Sequence, residues 1–248
     1  MFSDLALARR IEGGEARNAA GCGESLEIGG GYAAFCGVGS PLTHAIGLGL
    51  NGPMSSADFD RLEDFYRSRG SPVNLDLCPH AHWTMIELLG ERGYRIVECD
   101  NVLAGPVAGS ADARVSRTAD ERLWSKTMLE GFFSRTEFSE MEWDLGPRLL
   151  KLENAAAWLA RVDGIPASAG AMNHRDDLAL LFADSTLEKY RGQGLHLALI
   201  RARLKHAAEA GCDLATASTV PGSTSQRNYE RAGFQVIYTK LNMQRDFL

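Results

Sequence analysis

LALLFADSTLEKYRGQGLHLALIRARL, residues 178–204, is the stretch that decides the fold. It opens on a nearly all-apolar run, Leu178 to Ala183, which suits a central strand covered on both faces. It closes on a helix-period stretch from Leu195 to about Ala210, striped by Leu199, Ile200 and Leu204 and ended by Gly211 as C-cap. Between them stand Asp184 to Lys189 and then Arg191-Gly192-Gln193-Gly194. The first turn of a helix has unpaired N–H groups and a partial positive charge. Glycines just before it let those groups close around a phosphate without Cβ interference. By itself Gly-x-Gly is only a tight turn; the strand before it and the helix after it shift the balance towards an anion site without deciding it.

Downstream, Leu214 to Ala217 reads as a strand, Pro221 to Thr224 as a polar turn and the residues through Tyr229 as a short helix. Gly233-Phe234 and the β-rich Val236 to Thr239 follow. Upstream, Ala155 to Val162 is a strand turning at Asp163-Gly164. Its partner runs from about Pro166 towards Met172, and His174 to Asp177 form another turn. Thr118 or Asp120 caps a helix through Leu123, Trp124 and Met128. The first half repeats the order: a helix from Ser56 to Arg69 stopped by Gly70, a strand Val73 to Leu77, a helix Ala81 to Leu89, then Gly93-Tyr94 and Ile96 to Cys99. Gly70 and Gly211 are 141 residues apart and Gly93 and Gly233 are 140 apart, which points to duplication. The expected class is α+β, with two domains in tandem, 1–107 and 112–248. Each is a mixed, mostly antiparallel sheet flanked by helices, and the small-residue stretch Ala104 to Ala111 divides them.

Composition narrows the function. With 248 residues, a net charge of -6 and no dense Lys/Arg tract, the chain lacks the basic face that nucleic acid demands. An acidic protein that binds a polyanion must concentrate positive potential locally. No apolar run approaches the ~20 residues of a membrane span. Met1 to Ala6 do not open a signal peptide, and five scattered cysteines without a Cys-x-x-Cys spacing suit reduced thiols; a cytoplasmic protein is expected. His44, His80 and His82 show no metal-ligand spacing, and no metal is inferred.

At Tyr190-Arg191-Gly192-Gln193-Gly194-Leu195-His196 the chain resembles the GNAT acyltransferase superfamily, whose phosphate loop reads Arg/Gln-x-x-Gly-x-Gly/Ala before a long helix. His196 departs from the pattern at the final Gly/Ala, where it either crowds the cofactor or adds a donor near a phosphate; read by itself, it is a helix-start residue facing solvent. The resemblance continues through Tyr229-Glu230-Arg231-Ala232-Gly233-Phe234, with Ser225 one turn before the tyrosine, and covers roughly residues 113 to 245. It implies an N-acyltransferase with acetyl-CoA as co-substrate. Ser185, Thr186, Arg191, Gly192, Gln193, Gly194, Leu195, His196, Leu197 and Ser225 are the implied cofactor contacts. The first half keeps the scaffold and loses the chemistry: Asn51 to Ser56 stand where a phosphate loop would be, and Leu89 matches Tyr229. One cofactor per chain is implied.

In the family mechanism an amine attacks the thioester directly. The oxyanion takes an N–H donor from the central strand's splayed end, here near Ala183 to Ser185. Tyr229 is the implied proton donor to the thiolate; without the resemblance it reads as a packed aromatic. Asp184 is the preferred base, His174 and Glu188 being alternatives, and a solvated turn carboxylate is an equal reading. The expected partner is an amine of a small molecule or peptide, with net acidity leaning towards a cationic one or equally serving solubility, and the expected state is a monomer or homodimer. Phe132, Phe133, Phe138, Met141 and Trp143 fall where acceptor-side helices sit; packing explains them equally. The competing function is a non-catalytic acyl-CoA-binding regulator.

Overall fold

The computed structural model describes residues 4–247; Met1 to Ser3, part of the segment examined for a leader, lie outside the described residues. The chain forms two compact units. One holds the residues up to Val102 together with those from Ile237 onward, and the other holds Leu103–Val236.

The second unit carries β6 (Val115–Thr118), α4 (Glu121–Phe133), α5 (Glu140–Leu150), β7 (Ala156–Val162), β8 (Ile165–Arg175), β9 (Leu178–Thr186), α6 (Leu195–Glu209), β10 (Leu214–Thr219) and α7 (Thr224–Arg231). Strands β6 to β9 form antiparallel neighbours in sequence order, and β10 lies parallel to β9. Asp120, one of the two caps expected, accepts from the Leu123 amide at 2.9 Å and starts α4, whereas Thr118 belongs to β6. The core packs Leu181, Leu199, Ile200 and Leu204 with Trp158 and Phe234. The apolar stripe of α6 therefore lies on the sheet and fixes where its N-terminus points.

The first unit runs α1 (Leu5–Cys22), β1 (Glu24–Ile28), β2 (Gly31–Phe35), β3 (Ala45–Ile46), α2 (Ser56–Arg67), β4 (Val73–Leu77), α3 (Thr84–Glu91) and β5 (Arg95–Gly105), the last three residues of β5 belonging to the second unit. Here too two antiparallel pairings, β1–β2 and β2–β3, precede a parallel one, β3–β4. Helix, three strands, helix, strand, helix, strand recur in both halves, the same sequence of pairings at a smaller scale.

Three local expectations shift. The linker begins after Gly105, because β5 continues through Ala104, and helix α3 starts at Thr84 rather than Ala81. His174 and Arg175 extend β8, which leaves Asp176 at φ 52° to make the turn. The larger difference is at the chain's end. Residues 237 onward, expected in the second domain, complete the first unit as β11 (Gln235–Arg245), paired antiparallel with β4 from Leu241↔Leu77 to Arg245↔Val73. This brings Tyr238 and Lys240 into the first unit's interior. The Tyr238 hydroxyl donates to Glu12 at 2.7 Å, and Lys240 Nζ lies 2.5 Å from Glu15 and 3.5 Å from Asp76. Burial pushes the fully enclosed Glu12 carboxyl up to about 7 against the pull of Lys240.

Candidate active site

Strand β9 and helix α6 build the site. Pairing between β9 and β10 is recorded only from Leu178↔Leu214 to Leu180↔Thr216, although β9 continues to Thr186 and β10 to Thr219. Beyond that point the strands part. On its other side β9 keeps its pairing with β8 but slips register, from Ala171↔Phe182 to Ala169↔Ser185. The extra residue is absorbed at Ala183, whose φ is 57°, a left-handed conformation that costs a non-glycine residue ~1–2 kcal/mol.

Arg203 of α6 spans this bulge. It has no exposed surface and donates to Ala171 O at 2.8 Å, Phe182 O at 3.4 Å and Leu199 O at 3.2 Å, and also to Asp184 Oδ1. The Asp184 Oδ2 accepts from the Tyr229 hydroxyl. Gly170 makes this burial possible: a Cβ there would stand 2.7 Å from Asp184 Oδ1 and 3.0 Å from Arg203 Cζ. Burial by itself would raise the Asp184 carboxyl, but Arg203 first and His196 next overcome it and hold it below the usual carboxylate range. Tyr229 is held the other way. Burial, then the adjacent Asp184 charge, hold its proton more tightly than an ordinary phenol does.

The loop after β9 ends in Gly192 at φ 78° and Gly194 at φ 76°, and Gly194 is the N-cap of α6 without any side-chain cap. The first helical bond recorded is Ala198 N to Gly194 O, 3.0 Å. Among the described residues no partner is recorded for the amides of 192–197, and the first turn carries no acidic side chain. All of these residues except Gln193 border a cleft of about 680 Å³ whose other walls include Asp184, Ser225 and Asn228. In the first unit the equivalent helix start is already occupied. Ser55 caps α2, and the Asp58 carboxylate accepts from the Ser55 amide at 2.9 Å, so the protein's own anion fills the place of a ligand.

Of the residues expected at the cofactor, Ser185, Thr186, Arg191, Gly192, Gly194, Leu195, His196, Leu197 and Ser225 all border this cleft. Gln193 does not; its carbonyl accepts from Arg114 at 3.0 Å, which steadies the loop. The Arg191 guanidinium reaches back to Thr186 O at 3.2 Å and Gly131 O at 3.2 Å, so it braces the loop against the end of α4. Tyr229 is only 1% exposed and does not border the cleft. His196, read by itself as a solvent-facing side chain, is turned inward to Asp184 and Asn228 with 14% of its side chain exposed. Sequence reasoning missed Arg203, Gly170, Asn228 and Arg231. The first two stand on different elements from Asp184, and only the fold brings them to it.

A second cleft of about 660 Å³ opens beside the end of β9 and α4, bordered by Thr127, Glu130, Arg135, Ile165, Leu187 and Lys189 among others. Ser185 Oγ lies 3.5 Å from Thr127 O, so the two clefts share a thin wall. Phe132 and Phe133 are 53% and 43% exposed, while Phe138 meets Trp143 edge-on at 5.7 Å. No helix among the described residues is long and apolar enough to cross a membrane.

Residues 119–234 match the profile of the Acetyltransferase (GNAT) family. None of the curated proteins matches the sequence. Among solved structures the chain is similar to a GCN5-related N-acetyltransferase from Kribbella flavida at 19% identity and TM-score 0.75, covering 98% of this chain and 96% of that one. It is also similar to a tandem GNAT protein from the clavulanic acid biosynthesis pathway (13% identity, TM-score 0.58, 82% and 73% coverage). A third is a GCN5-related N-acetyltransferase from Sphaerobacter thermophilus (15%, TM-score 0.58, 77% and 67%). At these identities the likeness speaks for the fold alone, and it spans both units.

Proposed function

We propose, from the match of residues 119–234 to the Acetyltransferase (GNAT) family, that this chain transfers an acyl group, acetyl by default, from acyl-CoA directly to a primary amine of a small molecule or peptide. The observation that carries this reading is the uncapped start of α6. Six consecutive amides without protein partners among the described residues, no carboxylate in the first turn and an open cleft together suit a diphosphate. The gap between β9 and β10 then offers the pantetheine arm a path with unpaired strand edges to bond.

The thioester carbonyl comes to the bulge at Ala183 to Ser185. There a strand amide released from the ladder stabilises the oxyanion formed when the neutral amine attacks. When the tetrahedral adduct collapses, the C–S bond breaks with its electron pair going to sulfur, and Tyr229 gives sulfur its phenolic proton. The amide nitrogen sheds a proton to solvent, from which the tyrosine is refilled. Asp184 takes a different part from the base first expected of it. With both oxygens engaged and its proton affinity held down by Arg203, it orients Tyr229, and the amine enters already neutral.

We place the acceptor in the second cleft, across the wall at Ser185. Its three cations, two of them paired with Glu130 and Glu142, suit an amine with a neutral or carboxylate-bearing body better than a polycation. Thiol release from acetyl-CoA over an amine panel tests the proposal. Tyr229→Phe is expected to lower turnover by about ten- to ten-thousand-fold while CoA affinity holds. An unchanged rate removes Tyr229 from this role. The burial of Tyr229 favours a second reading, an acyl-CoA-binding regulator; calorimetric CoA binding without thiol release on any amine supports that one.

A further inference from the structure

Three partners surround the Asp184 carboxylate: Arg203 on Oδ1, the Tyr229 hydroxyl on Oδ2, and the His196 Nε2 standing 3.5 Å from Oδ2, at the outer limit of a hydrogen bond. That nitrogen is buried and makes no well-formed hydrogen bond among the described residues. A buried donor left idle is uncommon in a native protein and calls for a reason.

Its neighbours favour one ring nitrogen as the bearer of the proton. Arg231 Nη1 donates to Asn228 Oδ1 at 3.1 Å, so the Asn228 amide nitrogen faces His196 Nδ1, also at 3.1 Å. Turning the amide over would set its NH₂ against a guanidinium, two donors face to face. Nδ1 therefore accepts, and the proton sits on Nε2, directed towards the Asp184 side of the ring. The ring also meets Tyr229 edge-on, with centroids 5.7 Å apart.

Resting on the acyltransfer reading above, we propose that His196 is a relief donor for Asp184. When Tyr229 turns its hydroxyl proton to the departing sulfur, the His196 Nε2–H closes on Asp184 Oδ2 and takes the place the phenol has left. Without it, the step would strand a buried carboxylate oxygen beside a new phenolate. With it, Asp184 keeps two donors throughout, and the bond returns to Tyr229 once the phenol is refilled from solvent. No proton leaves His196; only its hydrogen bond is made and broken. This gives a use to the imidazole that stands where the loop pattern has Gly or Ala. It makes His196 a positioning residue, since it acts through Asp184 and Tyr229.

The test is a double-mutant cycle with a spectroscopic arm. Ala fits the loop pattern at this position, so His196→Ala is expected to fold and to bind CoA at least as tightly as the parent. Its kcat is expected to fall about ten- to one-hundred-fold, the range for losing a hydrogen bond to a charged group. His196→Gln, which keeps an N–H donor, is expected to recover part of that loss. In a Tyr229→Phe background the His196→Ala change is expected to cost nothing further, because there is no phenolic proton to hand over. Equal losses in both backgrounds, or an undiminished kcat in His196→Ala, overturn the proposal. The spectroscopic arm needs no turnover. In ¹⁵N-histidine-labelled protein the parent should show the Nε2–H tautomer, and Tyr229→Phe should give a downfield, slowly exchanging Nε2 proton as His196 closes on Asp184. An Nδ1–H tautomer, or no such proton in Tyr229→Phe, refutes the relief donor even if thiol release fails, whereas absent thiol release with these signals present refutes only the acyltransfer reading.

Discussion

Gly194→Ala puts the phosphate loop to a quantitative test. Gly194 sits at φ 76°, ψ 8°, and nothing lies within 4 Å of where its Cβ would stand, so the substitution meets no clash. Its cost is conformational, ~1–2 kcal/mol for an L-residue held in the left-handed region. The ligand-free loop escapes most of that cost, because the amides of 192–197 have no partners among the described residues to lose when the segment relaxes to negative φ. Binding a diphosphate restores the left-handed turn and meets the full cost then. Ligand-free stability should fall by less than about 1 kcal/mol, while CoA affinity should weaken about five- to thirty-fold. Gly211, at φ 84° beyond the other end of α6 and equally uncrowded, is the control. Its Ala variant should lose about 1 kcal/mol of stability and leave CoA affinity alone. Calorimetric titration with CoA and urea denaturation without it read both quantities. CoA affinity within twofold of the parent in Gly194→Ala would mean that the loop is only a turn.

Arg203→Met leaves the Asp184 carboxylate buried without its counter-ion and should cost ~3–5 kcal/mol in urea denaturation, whereas adding Asp184→Asn should restore most of it. Glu12 has its proton affinity raised in the native state, so its contribution to stability is complete below its ordinary 4.5 and lost as pH rises towards about 7. Glu12→Gln, which no longer titrates, should flatten that decline, read by denaturation at pH 5 and pH 8. Calorimetry should return one CoA per chain, since the capping box of Ser55 and Asp58 fills the helix start of the first unit that corresponds to α6.

The elements nearest the loop were legible because their signals are local. Apolar Leu178 to Ala183, the glycines before Leu195 and the stripe of α6 all read off the sequence within a few residues. Val73–Leu77 is the strand expected, and Gly70 and Gly211 stop their helices. The first fifty residues were not read. Helix α1 holds Gly13-Gly14 and five alanines in place of an apolar stripe, and β1 to β3 are two to five residues long. In the site, backbone roles were visible and side-chain roles were not. Asp184 reads as a turn carboxylate until Arg203, nineteen residues on and fully buried, is seen to reach it. Likewise a histidine in a glycine loop reads as exposed until Asn228, thirty-two residues away, accounts for one of its nitrogens.

The placement of residues 237 onward has a consequence for biosynthesis. Strand β4 is made early, yet the partner that covers its edge is translated after all of residues 103–236. Through that interval Val73–Leu77 presents open N–H and C=O groups, an invitation to stray pairing on the ribosome. A premature stop near codon 236 would spare the loop before α6 and still leave the first unit unfinished, with Lys240 missing from beside Glu15 and Asp76.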